Sequence, residues 1–480
     1  MTCPVAAPPA AAPAPTLAAS DFARLPLTPA ALANLQALGY RAMTPIQAAA
    51  LPLALAGHDL IAQAATGSGK TVAFALALLA RLDVRRPEGA PRTQALVLCP
   101  TRELAEQVTQ AIRRLARAED NLKVLALCGG SPIRPQLDSL AHGAQVVVGT
   151  PGRIVDHLGR GSLALSGLNT LVLDEADRML DMGFTEDIAA IAAQCPKSRQ
   201  TLLFSATWPE GVAQIGRRFL REPREVRLTA QPGASKIRQR FYEVTEDQRL
   251  HAVGLLLNHW RPARTLAFCN TKQQCRDLVA VLRAQGIAAL ALHGDLDQRD
   301  RDQVLVRFAN RSCPVLVATD VAARGLDISG LEAVINVDVS PEAGMHVHRI
   351  GRTGRADAEG WAFTLASLDE MGPVGRIEAL QGRPSEFHPL DELTPAAQGP
   401  LRAPMVTLQI LGGRKAKIRP GDVLGALTGE GGLAAAQIGR IAINEFSTYV
   451  AVAREIAAKA LRALDQGKVK GKRVKARALD

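Results

Sequence analysis

A chain of 480 residues exceeds what one hydrophobic core organises and predicts two to four domains. Its hydrophobic fraction of 47% is that of a globular protein, and its longest strongly apolar run (72–80) is too short to span a bilayer; a cytoplasmic protein without a membrane partner is expected. A net charge of +11 favours polyanionic partners, while seven scattered cysteines with no CxxC pair and no Cys/His ligand spacing argue against a disulfide framework and structural zinc.

Residues 1–20 are rich in Ala and Pro, carry no basic residue and read as a disordered tail rather than a secretion signal. From 21 to 230, short apolar runs at 59–61, 95–99, 145–148, 171–173 and 201–204 alternate with helical patterns. Such runs, ended by Gly, Pro or Ser/Thr, indicate a parallel sheet buried on both faces. A Pro/Gly/Ser stretch at 231–235 interrupts the pattern, which resumes to 383 with expected strands at 265–268, 288–292, 315–318, 333–337 and 362–365. This predicts a second α/β domain over 231–383. Residues 384–403 carry Pro384, Pro389, Pro395 and Pro400 and read as a linker. Over 404–480, strands are expected at 406–411, 438–443 and 448–453 and helices at 420–427 and 455–464, a small α+β sandwich.

Three motifs carry chemistry. The turn Ala65-Thr66-Gly67-Ser68-Gly69-Lys70-Thr71 follows an apolar run and opens a helix expected over 72–79, the context of a phosphate loop. Gly67 and Gly69 let backbone N–H groups close around a β-phosphate, and the helix N-terminus adds its positive end. Lys70 is placed to reach the β/γ-phosphates, and the Thr71 hydroxyl suits Mg²⁺. Ala64 stands where the motif usually begins with Gly. Asp174 and Glu175 close an apolar run, the edge at which a parallel sheet presents its active groups. Asp174 suits Mg²⁺ held through water, and Glu175 suits orienting and deprotonating an attacking water. Arg352 and Arg355, expected near the start of a helix or turn, suit the charge of a transferring γ-phosphoryl group.

Together these residues resemble the DEAD-box RNA helicase family, whose motifs appear in order across 22–366. The resemblance implies two tandem RecA-like parallel-sheet domains that bind ATP and RNA across a cleft and close to separate a short duplex. Phe22, Gly39-Tyr40 and Thr44-Pro45-Ile46-Gln47 look like the adenine-reading motif, with Tyr40 offering a stacking face and Gln47 a paired donor and acceptor. Arg102, Gly130, Thr150 and Arg153 fall on the first domain's RNA-contacting motifs. Gln298, Arg301 and Thr319 fall on those of the second. Asp177, Ser205, Thr207 and His348 fall on motifs that couple hydrolysis to strand separation, and Asp327 on the ribose contact. His346 stands where many members have Tyr. The adenine motif and the Asp-Glu-Ala-Asp tetrad point to the non-processive RNA helicases rather than to translocating DNA helicases.

The order of elements in 404–480 resembles an RNA-recognition-motif fold, and the whole layout resembles a bacterial branch of the family directed to 23S ribosomal RNA. That implies action on pre-50S ribosomal particles, with nothing in the sequence that requires more than a monomer. The usual aromatic stacking signature is missing; around Phe446-Ser447-Thr448-Tyr449-Val450, Tyr449 is the one residue expected at an aromatic sheet position. Lys468, Lys470, Lys472, Arg473, Lys475 and Arg477 form a basic end suited to phosphates.

Overall fold

The computed structural model describes residues 21–65, 67–83, 92–208, 210–228, 237–323, 330–354, 359–394, 399, 401–429 and 431–479. The tail expected to be disordered, and the site residues Thr66, Asp327 and Arg355, lie outside the described residues.

Seven parallel strands make the first sheet: β1 (Leu60–Gln63), β2 (Ala95–Leu98), β3 (Val124–Leu127), β4 (Val146–Gly149), β5 (Thr170–Leu173), β6 (Gln200–Ser205) and β7 (Arg224–Arg227), in the order β3-β4-β2-β5-β6-β1-β7. Alternate residues enter two separate cores. Val97, Val148 and Val172 join one, and Leu96, Leu98, Val147 and Leu171 join the other. A strand with period-2 side chains and helices over both faces has to be apolar throughout, so these strands are legible as continuous apolar runs.

The second sheet holds β8 (Ile237–Glu243), β9 (Thr265–Cys269), β10 (Ala289–Leu292), β11 (Val315–Thr319), β12 (Ala333–Asn336), β13 (Gly360–Ala366) and β14 (Phe387–His388), again parallel. Its order, β10-β11-β9-β12-β13-β8-β14, repeats the first sheet strand for strand in chain order. The expected linker at 384–403 is partly built into this domain. β14 occupies the edge that corresponds to β7, pairing Phe387 with Phe241 and His388 with Tyr242. Glu392 accepts from Tyr242 Oη and Arg240 Nη1, both at 2.9 Å, and Leu393 and Leu401 are buried in the domain's core. Burying each such leucine stabilises the attachment by about 1.5–3 kcal/mol. β7 and β14 escaped the sequence reading because an edge can form with few apolar residues; in β7 only Val226 is buried.

The third sheet is antiparallel, in the order β16 (Ile438–Ile443), β17 (Ser447–Ala453), β15 (Met405–Leu411), β18 (Ala476–Leu479). Helices Pro420–Thr428 and Ala457–Gln466 cover one face, where Val406, Leu408, Ile410, Val450 and Val452 meet Val423, Leu427, Ala460 and Leu464. This β-α-β-β-α-β arrangement is the RNA-recognition-motif-like domain expected. β18 lies in the basic end and is specified by its pairing with β15, so no apolar run announced it.

The opposite face of this sheet is also closed. Thr407, Gln409, Tyr449 and Ala451 alternate away from the two helices and are all buried. Thr407 Oγ1 accepts from Asn310 Nδ2 at 3.1 Å and lies 2.7 Å from Ser312 Oγ, so β15 docks on the turn that follows helix Gln298–Ala309. Tyr449 therefore cannot serve as an exposed stacking ring. Its hydroxyl accepts from Gln409 Nε2 at 3.2 Å, and Gln409 Oε1 accepts from Arg477 Nε at 2.7 Å. Thr407→Val should leave the buried Asn310 and Ser312 groups short of a partner and cost about 1–3 kcal/mol. Urea unfolding followed by tryptophan fluorescence would read it, and an unchanged midpoint would count against the docking contact.

Candidate functional site

β1, β6 and β5 lie side by side, so their carboxyl ends bring three sequence-distant segments to one edge. After β1, Gly67 and Gly69 take φ of +82° and +95°, and helix Lys70–Leu79 begins. Side chains other than glycine rarely adopt that conformation. At Gly69 a Cβ would also lie 2.5 Å from Gln47 Nε2. Gln47 belongs to a capping box on helix Pro45–Leu55: its Oε1 accepts from Thr44 N at 2.9 Å and its Nε2 donates to Gly69 O at 3.1 Å. The buried amide thus ties the expected adenine-reading segment to the phosphate loop, with one donor and one acceptor position still open. Tyr40 is partly buried against the same core.

Lys70 is buried and donates to Ala64 O at 2.7 Å. Burial lowers its pKa, while the charges of Asp174 and Glu175 oppose that shift. Asp174 is pushed up to about 7 by burial and by neighbouring Glu175, with Lys70 acting in the other direction. Glu175 sits in the left-handed region at φ +53° and pairs with Arg178 Nη1 at 3.1 Å. Strained backbone at a sheet's active edge is a feature of functional positions. Ser68 Oγ is buried and has no protein partner among the described residues. Asp174 and Thr71 offer hard oxygen donors, and a carboxyl held near neutrality by burial gains most from a cation, so the donor set fits Mg²⁺ retaining water ligands.

Asp177 leads away from this edge. Its Oδ2 accepts from Ala206 N at 3.2 Å, Thr207 N at 2.9 Å and Thr207 Oγ1 at 2.8 Å, and Ser205 Oγ donates to Thr207 O at 2.7 Å. The helix after β5 is thereby bonded to the turn after β6. Farther along the edge, Arg102 Nη1 reaches Gly130 O at 3.4 Å and Arg153 Nη2 donates to Ser131 O at 3.1 Å. Thr150 is the N-cap of helix Pro151–Gly159. Arg102 and Arg153 therefore converge on the turn at Gly130-Ser131, and Thr150 caps the helix that carries Arg153.

In the second unit, Gln298 opens its helix and donates to Asp302 at 2.8 Å, and Arg301 Nη2 donates to Ala322 O at 2.7 Å. Thr319 ends β11. Arg352 is buried in the turn after helix Ala343–Ile350. Partly buried His348 lies in that helix's last turn. His346 has its pKa lowered to about 4 by burial and stacks on Phe241 with 6.0 Å between ring centres. The sequence reading passed over Arg349 and Asp320. Arg349 is 1% exposed and grips the Asp320 carboxylate at 2.8 and 2.6 Å, Asp338 O at 2.7 Å and Asn270 Oδ1 at 2.8 Å. The signal available was an arginine on the apolar face of a short helix, which needs a buried acid as partner.

Three family descriptions match the chain: DEAD/DEAH box helicase over 44–215, helicase conserved C-terminal domain over 248–357, and DbpA RNA binding domain over 407–478. The chain is 51% identical over 457 residues to the ATP-dependent RNA helicase DbpA of Escherichia coli (strain K12), covering 94% of this chain and 98% of that protein. The chain belongs to the DEAD-box ATP-dependent RNA helicases. It is also 44% identical to the ATP-dependent RNA helicase CshA of Listeria monocytogenes over 75% of this chain and 68% of the relative. The structure of Saccharomyces cerevisiae Dbp5 bound to RNA and ADP BeF3 is similar at TM-score 0.70 and 29% identity, covering 78% of this chain and 96% of that one. The two parallel sheets are thus the tandem RecA-like domains of a DEAD-box helicase. Among the described residues no helix is long and apolar enough to cross a membrane.

Asp174 gives the site a pH signature. Its folded-state pKa stands above its ordinary value of 3.8, so between about pH 4 and 7 the folded chain retains a proton that the unfolded chain has released. Its contribution to stability is therefore present at low pH and lost as pH rises to about 7. Asp174→Asn should remove that component. Denaturation of both proteins without nucleotide at pH 4.5 and 8 would check this; equal pH dependence would contradict a buried, near-neutral Asp174.

Proposed function

We propose that this DEAD-box helicase uses ATP and Mg²⁺ to separate short RNA duplexes near 23S ribosomal RNA, acting as a cytoplasmic monomer on pre-50S particles during large-subunit assembly. The observation that carries the reading is the third domain: its likeness to the DbpA RNA binding domain, in a chain similar to DbpA along nearly its whole length, supplies the address that a sequence-independent motor lacks.

The residue roles follow from charge and position. Lys70 and the N–H groups of Ala65, Thr66, Gly67, Ser68 and Gly69 cradle the phosphates, while Tyr40, Gln47 and Asp327 hold adenosine. Thr71 and Asp174 hold Mg²⁺ through water; when bound, the ion neutralises charge on the phosphate oxygens. Glu175, fixed by its strained backbone and by Arg178, takes the proton of the attacking water. Arg352 and Arg355 stabilise the negative charge on the transferring phosphoryl group. Asp177, Ser205, Thr207 and His348 relay changes at the nucleotide to the RNA side. The Asp177–Thr207 bonds support that relay, because a shift at Asp174-Glu175 must move the turn that follows β6. Arg102, Gly130, Thr150, Arg153, Gln298, Arg301 and Thr319 contact the RNA backbone and carry no sequence preference.

Glu175→Gln should lower ATP turnover by about two to four decades while leaving ATP binding largely intact, because only the proton acceptor is removed. Single-turnover hydrolysis beside nucleotide titration tests it, and wild-type turnover would refute the role. Deleting residues 404–480 should abolish discrimination between ribosomal and random RNA in ATPase stimulation, while saturating generic RNA still stimulates. If the truncated and full-length proteins discriminate equally, the address lies in the helicase core.

A further inference from the structure

The third domain has to recognise RNA with its sheet closed. In an RNA-recognition-motif fold, bases stack on aromatics exposed on the sheet. Here that face is buried, with Thr407 against Asn310 and Ser312 and with Tyr449 only 3% exposed. An aromatic ring for a base has to come from elsewhere in the domain.

Phe446 is 71% exposed in the turn between β16 and β17. An exposed phenylalanine alone needs no explanation. This one is set on a stiff, basic support. Asn444 N donates to Ser447 O at 2.8 Å and closes its turn. Arg414 N and Lys415 N donate to Asn444 O and Glu445 O at 2.9 and 3.0 Å, which locks the turn to the 3-10 turn Arg414–Ala416. The two turns press together so closely that a Cβ on Gly413 would lie 2.2 Å from Asn444 O. Lys470 Nζ donates to Lys417 O at 2.5 Å, bringing the basic end of the chain to the same corner. Leu411, 54% exposed, pairs with Ser447, the residue that follows Phe446. Lys415 is held by Glu445 at 3.4 Å, leaving Arg414, Lys417 and Lys470 as net positive charge on the segments that meet at this corner.

We propose that Phe446 is the base-stacking platform of the third domain, taking one unpaired nucleotide of an RNA loop while Arg414, Lys417 and Lys470 contact the flanking phosphates. The proposal rests on the reading that this domain addresses RNA. An exposed ring on a turn bonded to a basic one fits a nucleotide, which presents a π-face and a phosphate a few ångströms apart. A protein partner would instead need a wider apolar face than one ring and one leucine provide.

The test uses the full-length chain and two fluorescein-labelled RNA stem–loops with an identical stem. One has a randomised eight-nucleotide loop and the other a loop of abasic residues. Because stacking on an aromatic tolerates any base, a random loop is an adequate probe. Phe446→Ala should weaken binding to the base-bearing loop by about 5- to 100-fold and leave the abasic loop unchanged. Phe446→Trp should retain the preference. Arg414→Ala with Lys417→Ala should weaken both probes alike and flatten the salt dependence. ATPase stimulation by saturating polyadenylate should be unchanged in Phe446→Ala, which confirms a folded helicase. Loss of less than about twofold on the base-bearing loop, or equal loss on both probes, overturns the platform while RNA binding by the wild type stands. Equal wild-type binding of the two probes also overturns the platform, whereas the RNA-address reading fails if deleting residues 404–480 leaves binding of both probes unchanged.

Discussion

The nucleotide edge depends on three charges placed together away from water. Lys70, Asp174 and Glu175 are all buried: the two carboxylates oppose the loss of the lysine's proton, and the lysine opposes the protonation of Asp174 that burial and Glu175 favour. Burial disfavours the charged forms of Lys70 and Asp174 taken singly, so each gains from an opposite charge beside it. The loop glycines, the parallel strands and the capping box at Gln47 all serve to hold this set in register.

Asp177 and Arg349 play comparable parts in the two RecA-like domains. Each is a buried charge whose hydrogen bonds join segments leaving different strands. Asp177 ties the helix after β5 to the turn after β6, and Arg349 ties Asp320 after β11 to Asn270 after β9 and to the end of β12. A buried charge of this kind tolerates only an arrangement that keeps it paired, because an unpaired buried ion costs several kcal/mol. Such links hold neighbouring strand ends to one another. Identical strand order in the two sheets gives both domains the same set of edges to work with.

The third domain is attached through the very sheet face that its fold would offer to bases. The Thr407 contacts with Asn310 and Ser312 put polar groups at the centre of that attachment, and Glu392 with Tyr242 and Arg240 fastens the preceding segment. Recognition is thereby displaced to the corner where the turns at 414–417 and 444–447 meet. The third domain thus becomes an extension of the second RecA-like domain, with its basic corner left free.

The sequence by itself determined the chemistry and most of the fold. Phosphate-loop spacing, the Asp-Glu-Ala-Asp tetrad and the buried parallel strands are local patterns, because backbone conformation, strand burial and motif spacing are written in consecutive residues. The edge strands β7, β14 and β18 were not legible, since an edge or a basic strand is specified by the neighbour it pairs with rather than by its own apolar content. Nor were the partners of Asp177, Arg349 and Thr407, which lie 11 to 97 residues away in the chain and meet only when strands settle side by side. Tyr449 shows the same limit: the sequence placed it on the sheet, but only the tertiary structure decided that its ring would be buried.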